Sequence, residues 1–217
     1  MTIISTANAT DNSSALVTEF AGGAASEITM MIGVGSVKDS DAVFFEYIGD
    51  KQHRALRLAS DKPLTSLRNV TCVGLTVADN IGEFDATKLN VILQSSGGTQ
   101  VMVTSGLTTF WSMAVVGGLM ALFNGGDVKC PFNLDTWRGT AKMKPCFAAI
   151  KVDGVSMKDA HLFEQLTEAR TDGNKKRVET IMRDAVQILN HAITGGPIEE
   201  AAVVVSDAPV DEALADF

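Results

Sequence analysis

The chain has 217 residues, 46% of them hydrophobic and 20% charged, with 18 Lys and Arg against 26 Asp and Glu for a formal net charge of −8. That is the make-up of an ordinary soluble globular protein with one sizeable domain and appendages. Cys72, Cys130 and Cys146 are odd in number and show no C-x-x-C spacing. They fit neither a disulfide framework nor a zinc site, and read as reduced cytoplasmic thiols.

Residues 1–28 are rich in Thr, Ser, Ala, Asn and Gly and read as a flexible arm. No basic stretch followed by an apolar run opens the sequence, so no secretory signal is expected. Met30 to Gly35 is apolar and strand-like. Gly33-Val34-Gly35 is half of a dinucleotide fingerprint with no helix pattern after it, and reads as a turn or bulge. Val43 to Ile48 is aromatic and β-branched, Gly49 to Gln52 supplies turn residues, and Arg54 to Leu58 alternates polar and apolar as a partner strand. Asn69 to Val77 is a further β-rich run. Leu89–Gln94 and Gln100–Thr104 flank Ser95-Ser96-Gly97-Gly98-Thr99, a hairpin loop.

Phe110 to Phe123 is the most apolar window, and its 14 residues fall short of the roughly 20 that a membrane span needs. It reads as a buried helix with Ser105 or Thr108 as its N-cap. Gly117 and Gly118 inside it imply close approach to a sheet or a break. Val128–Leu134 and Phe147–Val152 are again strand-like, with Asp135-Thr136-Trp137-Arg138-Gly139 between them as a loop. Two helices follow, Lys158–Arg170 and Lys175–His191. In the second, Val178, Ile181, Met182, Ala185, Ile188 and Leu189 fall at helical spacing and form an apolar face, which a second copy of the chain or a docking partner would cover. The expected fold is mainly β with α, an OB-fold-like five-stranded barrel with a helix between strands 3 and 4, plus C-terminal helices at about 158–192. The domain would span 29–193 and be followed by an acidic disordered tail, 194–217.

Charge is unevenly spread. Between Lys38 and Arg183 there are 18 basic and 16 acidic residues, while the end of the chain from Thr194 holds six acidic residues and no basic ones. A mildly basic body with an acidic end suits a body that binds a polyanion and a tail that binds something else. Within the body, residues 127–152 place Lys129, Arg138, Lys142, Lys144 and Lys151 against Asp127 and Asp135, interleaved with Phe132, Trp137 and Phe147. Residues 47–68 place Lys51, Arg54, Arg57, Lys62 and Arg68 against Asp50 and Asp61, with Tyr47 at the start. Single-strand binding needs cations along a phosphate track and flat π faces for unstacked bases. Trp137 with Arg138 is the leading base platform, with Tyr47 second; the alternative for Trp137 is a lid folded back on the barrel. Phe132, Phe147 and Trp111 read as core.

With this element order and an acidic end closing on Asp216-Phe217, the chain resembles the single-stranded DNA-binding proteins of bacteriophages. That resemblance implies an OB barrel holding the strand and a tail that recruits replication or recombination proteins, here through Asp211, Glu212, Asp216 and Phe217. It implies no catalysis, no cofactor and no metal, and a place in the cytoplasm, that of the host if the chain is viral. The tail departs from the family pattern in being diluted with Ala, Val and Leu and in lacking a Pro-Phe ending. Catalytic signatures are missing from the sequence: it has no G-x-x-x-x-G-K-[ST], H-E-x-x-H or G-x-S-x-G. His53, His161 and His191 share no ligand spacing. Asp39 with Asp41, and Glu83 with Asp85, read as loop acids. The rival reading is a phage-type structural or adaptor protein with no nucleic-acid binding.

Overall fold

The computed structural model describes residues 30–35, 40–49, 52–81, 86–140 and 145–195. The expected arm at 1–28 lies outside these residues, as does the tail beyond Gly195. In chain order the elements are β1 (Met30–Val34), β2 (Phe44–Gly49), β3 (Gln52–Ala55), β4 (Ser66–Ile81), β5 (Ala86–Ser95), β6 (Gln100–Gly106), α1 (Phe110–Asn124), β7 (Phe132–Arg138), β8 (Cys146–Val152), β9 (Val155–Met157), α2 (Ala160–Thr171) and α3 (Lys175–Thr194).

The strands make one nine-stranded sheet in the order β3-β2-β1-β6-β5-β4-β7-β8-β9. Neighbours are antiparallel except β1 and β6, which run parallel. The protein is mainly β with helices, as expected, but the sheet is open and the five-stranded OB barrel does not form. β3 and β9 are its edges, so no backbone ladder closes it. The expected barrel also put the helix after a third strand, whereas α1 follows the sixth. The sheet curls instead. The Arg138 guanidinium on β7 donates to the carbonyls of Gly35 (3.5 Å) and Ser40, and the Cys146 thiol on β8 reaches Gly35 at 3.4 Å. Side chains, not a strand ladder, join the β7–β8 end to the β1–β2 connection.

Period-two burial explains the centre of the sheet. Leu89, Val91 and Leu93 of β5 are buried in alternation and face Ser105, Val103 and Val101 of β6 across the ladder. The hairpin between them forms at Ser95–Thr99 as the sequence implies, with Gly98 at φ +93. β4 runs longer than the expected 69–77 and carries an irregularity between Cys72 and Gly74. The register of β7 on β4 ends at Val70, and α3 packs along β4 instead. Asn190 of α3 accepts the Leu75 N–H at 3.1 Å, so this β4 donor is satisfied by a helix rather than a strand. The apolar stripe of α3, including Val178, Met182, Ala185 and Leu189, is therefore buried within the chain.

α1 is buried on several sides, packed on β8 with α2 and α3 beside it. Its N-cap is Thr109, not Ser105 or Thr108: the Thr109 hydroxyl accepts the Ser112 N–H at 3.2 Å, the reach that an N-cap requires. Ser105 is held in β6, opposite Leu89. Gly118 meets the expectation of close approach, since a Cβ there would lie 2.9 Å from Ile150 Cβ on β8. The strand expected at Val128–Leu134 begins later, at Phe132, and runs through Arg138. Trp137 and Arg138 thus stand at a strand end and not in a loop. Thr136, inside that supposed loop, is buried and accepts the indole N–H of the fully buried Trp111 at 3.0 Å. Among the described residues no helix is long and apolar enough to cross a membrane.

Candidate functional site

The basic residues named from the sequence have unequal fates. Arg54 on β3 binds Glu46 on β2, with Nε 3.0 Å from the carboxylate. Arg57 binds Asp41 and the Asp61 carbonyl, the latter at 2.7 Å. Arg138 serves as the clasp described above, and its Nε is buried without a partner among the described residues. All three arginines are engaged by groups of the same chain. Lys129 is exposed in the turn after α1. Lys51, Lys142 and Lys144 lie outside the described residues, as do Asp39, Glu83, Asp85 and the tail residues Asp211, Glu212, Asp216 and Phe217.

The two aromatic candidates stand on different strands. Tyr47 is exposed on β2, and its ring covers Gly33, where a Cβ would lie 2.6 Å from the phenol oxygen. Trp137 is exposed on β7, and four strands stand between it and β2 in the sheet order. Trp137 pairs across the ladder with Phe147 of β8, their rings stacked at 6.1 Å and 23°. Phe147, expected in the core, is only half-buried. Gly139 leaves room for its ring, because a Cβ there would come within 2.8 Å of Phe147 Cε2. Phe110, the first residue of α1, continues the cluster at 5.3 Å from Phe147.

These rings line a groove of about 640 Å³ between α1, α2 and the β8–β9 edge. Met113, Ala114, Gly117, Ala148, Leu162 and Leu166 contribute apolar surface to it. Two cations stand over aromatic faces in the same groove. The Arg170 guanidinium is 4.1 Å from the Phe110 ring centroid, and Lys158 Nζ is 3.4 Å from that of Phe163. Phe110, Lys158, Phe163 and Arg170 escaped the sequence reading. A signal existed for Phe163, which lies off the buried Leu162–Leu166–Ala169 stripe of α2 and is half exposed.

Titration within the fold is mostly structural. Burial pushes the Cys72 thiol up to about 12, so it stays protonated and unreactive. Burial works against ionisation of Asp135, yet hydrogen bonds from Lys151 and Ser66 outweigh it and hold the carboxyl below its ordinary value. No group of three His, Cys, Asp or Glu that could hold a metal occurs among the described residues. The groove offers flat π faces, apolar walls and two cations, Lys158 and Arg170, against one acid, Asp159, whose carboxylate accepts from Asn124 and the Leu162 N–H, a chemistry suited to aromatic ligands that also carry negative charge. No family model matches the chain, and neither does any curated protein or solved structure.

Proposed function

We propose that this chain is a non-enzymatic single-stranded DNA-binding protein that coats DNA with little sequence preference in phage-type replication or recombination. The observation that carries the reading is the exposed Trp137 stacked on Phe147, next to a groove that also holds Phe110, Arg170 and Lys158. Unstacked bases would lie on the rings and phosphates beside the cations, with Lys142 and Lys144 adding to the phosphate contacts. The acidic end, with Asp211, Glu212, Asp216 and Phe217, would recruit replication or recombination proteins in the cytoplasm.

The chain has two tryptophans, and Trp111 is fully buried, so fluorescence quenching by oligo-dT reports on Trp137. We expect quenching, with log affinity falling linearly against log salt, and with binding kept or raised on deletion of Ala208–Phe217. A second reading, an adaptor whose groove holds a protein segment, is favoured by the apolar lining and by the internal pairing of Arg54, Arg57 and Arg138. An adaptor would show neither quenching by oligo-dT nor a salt-dependent affinity, and that result rejects the first reading.

A further inference from the structure

A second cleft, of about 330 Å³, adjoins the aromatic groove and shares Arg170 with it. It lies between the turn that precedes α1 and the corner joining α2 to α3, and Thr108, Gly173, Lys175 and Val178 line it. Gly173, at φ +67, presents no side chain to fill the space. We infer that the phosphate backbone of the bound strand leaves the aromatic groove across Arg170 and enters this cleft, where Lys175 meets it. The inference rests on the single-strand reading above and names a part of the path which that reading leaves open.

Charge at this corner supports the route. The acids nearest in sequence, Glu168 and Asp172, are both engaged by Arg177, at 2.8 and 3.7 Å. Lys175 and Lys176 are exposed and have no ion-pair partner among the described residues. The Asn174 side chain caps α3 by accepting the Arg177 N–H at 2.9 Å, so the cleft's anion chemistry comes from side-chain cations. Arg170 suits the crossing point. One guanidinium face covers Phe110, and its bonds to the Thr108 carbonyl (3.2 Å) and Met113 sulfur (3.9 Å) both leave from Nη1. Nε and Nη2 have no partner among the described residues, and a guanidinium has five N–H donors for oxyanions. A ring at a base and a donor fork at the next phosphate is the alternation that a single strand presents.

The full chain and its Lys175→Gln variant, titrated with short and long oligo-dT at several salt concentrations, test the route. The variant should reach the same Trp137 quenching at saturation, because the rings are untouched. Its log–log salt slope on long oligo-dT should be shallower by about 0.7, the value of one lost single-strand phosphate contact. On oligo-dT too short to leave the aromatic groove the two proteins should bind alike. Equal slopes on long oligo-dT, with quenching present in both, overturn the second cleft and leave the parent reading standing. No quenching in the unmodified chain overturns both.

Discussion

At the β2–β3 corner Arg54 lies against Glu46 and Arg57 against Asp41, whereas beside β8 Arg170 and Lys158 lie over the faces of Phe110 and Phe163. Both neighbourhoods pair exposed aromatic surface with positive charge. In the first, carboxylates of the same chain already neutralise the cations, and the Tyr47 ring lies over Gly33. In the second, the cations rest on ring quadrupoles, which attract them without cancelling their charge for an incoming anion. The lesson is that a local excess of Lys and Arg counts toward binding only after internal ion pairs are subtracted. Exposed pairs of the first kind also add little stability, typically under about 1 kcal/mol.

Substitution of the two aromatics should separate these regions most sharply. Stacking one base is worth about 1–3 kcal/mol, so Trp137→Ala should weaken oligo-dT binding by about five- to 150-fold. Tyr47→Ala should leave affinity within about twofold, since Arg54 and Arg57, the arginines nearest that ring in sequence, are paired with carboxylates. Affinities measured by anisotropy avoid dependence on the tryptophan signal. Equal losses in the two variants would erase the distinction between the corners.

A smaller effect tests the support beneath the groove. Phe110 stands beside Phe147 because α1 approaches β8 closely at Gly118. A methyl group there would meet Ile150 Cβ, an atom fixed to the strand backbone. At Gly117, one position along, a Cβ meets nothing within 4 Å. Both Gly→Ala changes gain the same helix propensity, about 1 kcal/mol, so their difference isolates the clash. Urea denaturation should place Gly118→Ala about 1–3 kcal/mol below Gly117→Ala. Equal stabilities would mean that α1 does not set the spacing of the rings. The β2–β3 corner, which does not pack closely on α1, should be little affected by either change.

Much of this architecture is legible in the residues, and the failures have physical causes. Alternation is written into β5 and helical spacing into α3, because one-sided burial sets those periods directly, while α1, buried on several sides, is legible as an unbroken apolar run. β9 is three residues long and too short to show a period. The open sheet was not legible because closure depends on which edges meet, a pairing between residues far apart in sequence. Asp135-Thr136-Trp137-Arg138-Gly139 has the composition of a turn, yet Thr136 is drawn inward by the Trp111 indole and Asp135 by Lys151 and Ser66. Trp137 stands out in the sequence as an aromatic set among charged and turn-forming residues. Its companions Phe110 and Arg170 could not, since they reach the groove through the packing of α1 and α2.

Asp135 gives the last and smallest test of how the Trp137 strand is held. Its carboxylate lies 2.8 Å from Lys151 Nζ on β8 and 2.7 Å from Ser66 Oγ on β4, and so ties three strands together two residues before the tryptophan. The folded chain holds this carboxyl below its ordinary value. As pH falls through about 4, the unfolded chain therefore takes up the proton first. The stabilisation is complete above the ordinary carboxylate value and is lost as pH drops through the lower, folded one. Thermal midpoints of the unmodified protein should fall over that acid range, and Asp135→Asn should reduce the decline while starting from a lower midpoint at neutral pH. An identical acid decline in Asp135→Asn would show that the Lys151 and Ser66 contacts do not anchor β7, and would remove the reason for treating the end bearing Trp137 as a rigid platform.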